Sequence, residues 1–345
     1  RRRRLMDTPT HMLLGGIAAY ACTGRVIGPR AAGAGALAAL LPDLDVFLAP
    51  LGDPVLTYEL HRHFTHSIFV VPVIGALGAA PFLCTARGRA QWKGLFAAGM
   101  IGALTHGLLD VLTSYGTHLF WPFAEDRIAL DVMSIIDPVM TGVLFAGLLT
   151  ALLMRRTWPA GTGLALACLY IGLGFVQRER ARDRQNHLAA ERGDIIEHSR
   201  VMPTLGNLIL WRSLYRTPEG VMRADAVRLP LFGPPTIREG TDTRDVVHLD
   251  SVVPEGSDAH RRLTRFIAFT DGFASVQRGG AAGTRIISDD RYSMDTAGFV
   301  PLWGVSFDPA HPDDPASLTW VTNTDVRRAS LGPLIAEILG RPPPE

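Results

Sequence analysis

Apolar and polar positions divide the chain once, close to residue 177. Before that point Ala, Leu, Gly, Val and Ile dominate, and charges fall mostly between apolar runs. After it Arg, Asp and Glu become frequent and the runs shorten to strand length. A bilayer core takes about 20 mostly apolar residues per helix. Six segments reach or approach that: Met12–Ile27, Gly33–Pro50, Phe64–Cys84, Gly94–Ser114, Ile135–Met154 and Trp158–Gln177. The pattern predicts a polytopic α-helical membrane protein with about six transmembrane helices, whose frequent Gly and Ala suit close helix packing in lipid. Two rivals are weaker. Arg1–Arg4 ahead of the first segment also suit a cleavable signal peptide, but five further spans and the early His11 favour a retained helix. Buried helices of a soluble protein would need runs of only about 10–14 residues.

Between Arg178 and Arg192 charges are dense, as expected of a helix leaving the membrane at the headgroups. Strand-like runs follow at Leu208–Tyr215, Ala226–Phe232, Asp245–Leu249, Arg265–Phe269, Thr284–Ser288, Phe299–Phe307 and Ser317–Val321. Turn signals such as Pro-Glu-Gly and Gly-Pro-Pro separate them, and a short helix is expected at Ser330–Leu339. The expected organisation is a transmembrane domain over residues 1–177, a juxtamembrane charged helix over 178–198 and a soluble domain, mainly β or α+β, over 199–345.

Composition changes this picture little. Of 34 basic residues all but Lys93 are Arg, and the net charge of +1 gives no ground for a nucleic-acid partner. Cys22, Cys84 and Cys168 lie in apolar segments with no C-x-x-C pair, which argues against a disulfide framework or a thiolate zinc site.

The polar residues inside the apolar half carry the chemistry, because ionisable groups in membrane spans are costly and mark function by default. His11 opens the first span, and Asp43 and Asp45 fall in the second half of the next. His61, Arg62, His63 and His66 stand at the start of the third. His106 and Asp110 lie near the end of the fourth, and Asp131 and Asp137 flank the start of the fifth. A chain that reverses at every crossing puts starts of odd spans and ends of even spans on one face. All these residues therefore converge there, with the C-terminal domain on the same side. His106 and Asp110 are i,i+4 and share a helix face. Pro42 bends the chain so that Asp43 and Asp45 can turn inward, and two carboxylates so close call for a cation or protons. A mixed His/Asp set suits Zn²⁺, and also Mn²⁺ or Fe. Bland readings stand beside these: an intramembrane His as a helix–helix hydrogen bonder, Asp43 or Asp137 as a helix cap, and the His-rich stretch as an interfacial loop.

At these residues the sequence resembles the YdjM/YfhP-like family of membrane-bound metal-dependent hydrolases. The stretches that carry the resemblance are Met6-Asp7-Thr8-Pro9-Thr10-His11, Leu41-Pro42-Asp43-Leu44-Asp45, His61-Arg62-His63-Phe64-Thr65-His66-Ser67 and Thr105-His106-Gly107-Leu108-Leu109-Asp110. Leu112–Thr117, Trp121-Pro122-Phe123 and Ile136-Asp137-Pro138 add to it. The resemblance implies a metal-dependent hydrolase with His11, Asp43, Asp45, His61, His66, His106 and Asp110 as candidate ligands. His63 departs from the family pattern, where a small residue is expected. The motif order is also distantly similar to zinc-dependent phospholipase C, which implies a phosphoester.

The resulting expectation is a site with one or two ions, Zn²⁺ by ligand chemistry with Mn²⁺ or Fe as alternatives, that hydrolyses a lipid or lipid-linked ester. Arg62 would neutralise the anionic group, and Asp131 or Asp137 would act as base or orienting residue. A proton or metal transporter, and a structural or regulatory membrane protein with a partner-binding C-terminal domain, are the rival functions. The expected location is a bacterial-type cytoplasmic (inner) membrane, with the site and C-terminal domain facing the cytoplasm on the Arg clusters. The expected partners are membrane lipid and the substrate, with no partner protein inferable.

Overall fold

Prolines and polar motifs decide where the helices of the first half stop. The computed structural model describes residues 7–47, 54–279, 283–323 and 331–341. Arg1–Arg4, Met6, Pro50 and Ser330, on which expectations above touch, lie outside them. Helix α1 (Thr8–Ile27) has Pro9 in its first turn and ends at Gly28, whose φ of 66° suits a residue without Cβ. Helix α2 (Arg30–Leu40) runs into a 3₁₀ segment, Leu41–Phe47, at Pro42. Helix α3 (Pro54–Leu60) is followed by the His61–Ser67 motif, which holds only a 3₁₀ turn at Phe64–His66. Then come α4 (Val71–Ala79), α5 (Ala86–Ala90) and α6 (Trp92–Val111). A long irregular stretch leads to α7 (Pro138–Met154) and α8 (Trp158–Arg192).

Length and apolarity qualify α6, with a mean hydropathy of 1.4, and α8, with 1.6, as membrane spans. Tyr58–His66 and Val71–Cys84, bent by 81°, make a third if counted together. Among the described residues, the spans are thus fewer than six unbroken helices. The ligand-bearing motifs interrupt the apolar runs, so α2 has 11 residues and α7 has 17. Irregular backbone of this kind is tolerated in a bilayer where protein rather than lipid surrounds it.

The described residues fall into two compact units. The first comprises residues 7–47, 60–176 and 205–207; the second comprises residues 54–59, 177–204, 208–279, 283–323 and 331–341. In the first unit α1, α2 and α6 pack on one another, α4 lies on α2 and α6, and α7 lies on α1. Glycines set the spacing. A Cβ on Gly102 would come 2.0 Å from the Gly35 carbonyl oxygen, and one on Gly35 would come 2.4 Å from that of Gly15. The backbones of α1, α2 and α6 therefore touch at one level.

The second unit contains the expected antiparallel β structure. One sheet is built from β1 (His198–Pro203), β2 (Leu210–Arg216), β3 (Val221–Arg228) and β4 (Thr236–Arg238) in that order, with β5 (Thr243–Asp245) also paired to β3. A second sheet runs β6 (Ala274–Arg278), β7 (Arg285–Asp289), β8 (Trp303–Phe307) and β9 (Thr319–Thr322). Met202, Leu214, Met222, Phe273 and Phe299 form a core cluster. The expected strand at Arg265–Phe269 is instead the end of helix α9 (Asp258–Phe269). Ser257 caps it by accepting from the His260 amide, and Ala259, Leu263, Phe266 and Phe269 recur at helical spacing on its buried face. Helix α10 (Leu331–Ile338) lies within the expected last helix.

Asp290, just past β7, is buried and accepts a hydrogen bond from Ser288 Oγ at 2.8 Å. Burial outweighs that bond and pushes its carboxyl up to about 6. Because the folded state holds the proton more tightly than the unfolded chain, stability is greatest below the unfolded pKa of about 4 and falls as pH rises towards 6. Relative to wild type, Asp290→Asn is expected to gain roughly 2–3 kcal/mol at pH 8 and nothing at pH 4. Thermal melts of the full chain in detergent at the two pH values measure this; an equal change at both would contradict it.

Candidate metal centre

One helical turn from the glycine contact, each of the three packed helices presents a polar atom. His11 stands four residues before Gly15 on α1, the Ala39 carbonyl four after Gly35 on α2, and His106 four after Gly102 on α6. The His11 and His106 rings stack with centroids 4.0 Å apart. His106 Nδ1 lies 2.6 Å from the Ala39 carbonyl oxygen. A carbonyl only accepts, so Nδ1 carries the proton and Nε2 keeps its lone pair. Asp110, one turn further along α6, and Asp43, turned inward after Pro42, are both buried.

His66 acquires the same tautomer by a longer route. Thr65 Oγ1 donates its single proton to Asp45 Oδ2 at 3.1 Å, so its contact of 2.9 Å with His66 Nδ1 has the imidazole as donor. His66 Nε2 then faces Asp110 Oδ2 at 3.2 Å and Asp43 Oδ1 at 3.7 Å. His106 Nε2 faces the same two oxygens at 3.3 and 3.6 Å. Asp43, His66 and His106 thus offer ligand atoms all within 4.8 Å of one another, with Asp110 Oδ2 beside both imidazoles. His66 Nε2, His106 Nε2 and Asp110 Oδ2 are buried and have no hydrogen-bond partner among the described residues. Neighbouring ligands on a tetrahedral Zn²⁺ stand about 3.3–3.5 Å apart, and the imidazole nitrogens here lie 3.2–3.7 Å from the carboxylate oxygens. The donor set fits a divalent ion: an unpaired buried acceptor costs about 1–3 kcal/mol, and here several point inward together.

The other expected ligands are placed differently. Asp45 stands behind the centre as an organiser: Oδ1 is 2.8 Å from His61 Nδ1, and Oδ2 accepts from the Arg62 amide at 3.0 Å as well as from Thr65. His61 is held by that carboxylate, its ring edge-on to His66 and Tyr115. His11 reaches the cluster from the other side of Asp110, with Nε2 at 3.2 Å from Oδ1. His63 packs beside His118 and Trp121.

Of the residues expected to act on substrate, Arg62 is 2% exposed. Its Nη2 is 3.0 Å from Asp110 Oδ1, and its Nη1 donates to Thr113 Oγ1 at 2.8 Å. Asp131 is buried at a φ of 53°, in a segment tied to the end of α6 by the Leu130 and Val132 amides. Neither group of converging ligand atoms includes it. Asp137 is the N-cap of α7: Oδ1 accepts from the Val139 and Met140 amides, and Oδ2 from the Tyr170 hydroxyl at 2.7 Å. The helix-cap reading of that residue is the one its geometry matches.

Thr65, Thr113 and the Ala39 carbonyl were not singled out from sequence. The two threonines lie inside the quoted motifs, so position beside a ligand was the available signal. A backbone carbonyl leaves none.

A profile of the family described as YdjM inner membrane protein matches residues 6–181. Among curated proteins, inner membrane protein YbcI of Escherichia coli (strain K12) is 35% identical over 113 residues, 30% of this chain and 60% of that protein. Uncharacterized protein YfhP of Bacillus subtilis (strain 168) is 30% identical over 175 residues, 48% of this chain and 51% of that one. The chain thus spans between half and three fifths of the length of these relatives. No solved structure matches it.

Proposed function

The chain belongs to the YdjM family of inner membrane proteins, and from that premise we propose that it is a divalent-metal-dependent hydrolase of a lipid or lipid-linked ester, most readily a phosphoester. The observation that carries this reading is the buried group of Asp43, His66 and His106, whose ligand atoms all lie within 4.8 Å of one another, with Asp110 Oδ2 at 3.2 and 3.3 Å from the two imidazoles. These four residues would hold the ion. A bound divalent ion supplies Lewis acidity and lowers the pKa of water into the neutral range. Asp45 fixes His66 through Thr65, and the Ala39 carbonyl fixes His106, so both imidazoles arrive in the ligating tautomer. His11 is the group assigned to move a proton, because its Nδ1 is buried with no hydrogen-bond partner among the described residues. In this reading the six apolar segments enter the bilayer together, the short ones as broken helices around the site, so the substrate is one a membrane presents.

The test is a screen of phospholipids and lipid-linked phosphates with defined divalent metals, with wild type and His106→Ala purified side by side. Hydrolysis by wild type that is lost to chelator and absent from the variant is expected. Equal turnover by both, or turnover indifferent to chelator, would sink the reading.

Because Thr65 acts through His66, Thr65→Val is expected to weaken Zn²⁺ binding by about 10–100-fold. Thr65→Ser, which keeps the hydroxyl, should restore it. Competition with a chromophoric chelator reads both; unchanged affinity in the valine variant would contradict the assigned tautomer.

A further inference from the structure

Asp110 turns two oxygens to two different surroundings. Oδ2 meets His66 and His106, while Oδ1 meets His11 Nε2 at 3.2 Å and Arg62 Nη2 at 3.0 Å. His11, His106 and Asp110 form a second group of buried ligand atoms, all within 4.8 Å of one another. With His106 Nε2 given to the first ion, a second ion of a two-metal site, about 3.5–4 Å away, would rest on His11 Nε2 and Asp110 Oδ1. That position already borders a cation.

Arg62 is not free to yield it. Its guanidinium lies 5.1 Å over the Tyr115 ring, and its Nη1 is bonded to Thr113. Its amide donates to Asp45 and its carbonyl accepts from the His118 amide at 3.0 Å. Its φ of 62° is a strained conformation for a residue with a Cβ, which persists only where surroundings over-determine it. Charge leads to the same conclusion. Three carboxylates, Asp43, Asp45 and Asp110, and one guanidinium leave the buried cluster at −2 with its histidines neutral. One divalent ion neutralises that, whereas two would leave a buried charge of +2 at a large desolvation cost.

Resting on the metal-dependent reading above, we infer that Arg62 is a built-in cation standing in the second metal position, so the site takes a single divalent ion. Arg62 is then a positioning residue for Asp110: it holds Oδ1 and leaves Oδ2 for the ion.

The experiment is metal analysis of the full chain in detergent after equilibration with Zn²⁺, and electron paramagnetic resonance after loading with Mn²⁺. Wild type should bind one ion and show an uncoupled Mn²⁺ spectrum. Arg62→Gln should bind two, with a spin-coupled spectrum, and Arg62→Gln/His11→Ala should return to one. Arg62→Lys, which keeps the cation, should stay at one and serves if the glutamine variant does not fold. Two ions or coupled Mn²⁺ in wild type, one ion in folded Arg62→Gln, or two in Arg62→Lys would overturn the inference and leave the metal-dependent reading standing. No ion in wild type would overturn both.

Discussion

Replacing Asp110 by Asn is expected to weaken divalent-metal binding by more than about 100-fold, beyond the range seen when only an outer partner of a ligand is lost. Asp110 faces His66 and His106 through one oxygen and His11 and Arg62 through the other. The amide keeps the shape but removes the charge that offsets Arg62. It also directs an N–H₂ group either at the imidazole lone pairs or at the guanidinium. Zn²⁺ titration with an indicator measures the loss, and circular dichroism of the same sample shows whether the helices remain. Asp110→Asn that binds Zn²⁺ as wild type does would contradict the placement of the ion.

The second large effect concerns the frame and not the ligands. Gly102→Ala sets a Cβ 2.0 Å from the Gly35 carbonyl oxygen, where backbone on both sides leaves nothing to rotate away. Overpacking typically costs about 1–3 kcal/mol, and a backbone collision belongs at or above the top of that range. Helices α2 and α6 must separate, which also moves the Ala39 carbonyl off His106. Gly142→Ala on α7 is the matched control, since its Cβ meets nothing within 4 Å; it should gain up to about 1 kcal/mol in helix propensity. Thermal melts in one detergent should therefore rank Gly142→Ala at or above wild type and Gly102→Ala well below it. Equal melting of the two variants would show that the three helices do not meet at this level.

Much of the site was legible because membrane burial makes each ionisable residue conspicuous. His11, Asp43, His66, His106 and Asp110 stand out in the sequence as ligand types, and the structure brings their ligand atoms together in two overlapping groups. Sequence could not separate Asp43 from Asp45 two residues on, or His66 from His61. Which of a pair faces inward depends on the 3₁₀ turns at Leu41–Phe47 and Phe64–His66, not on helical or strand periodicity. Asp137 was ambiguous for a related reason: Asp before Pro at a helix start fits a cap as well as an active-site base, and only the Tyr170 contact and the capped amides decide. In the second unit, Arg265–Phe269 has the apolar content of a strand, and only the Ser257 cap with Ala259 and Leu263 at helical spacing marks it as a helix end. The bent helices of the first half were hidden by composition, since apolar content reports what can enter a membrane and not where the chain breaks.

Zinc K-edge X-ray absorption on the metal-loaded full chain reads directly whether His66 and His106 hold the ion. Four nitrogen or oxygen ligands near 2.0–2.1 Å are expected, with imidazole scattering from two histidines that falls when either His66 or His106 is replaced by Ala. Sulfur at the longer distance of about 2.3 Å, or a spectrum unchanged in both variants, would contradict it.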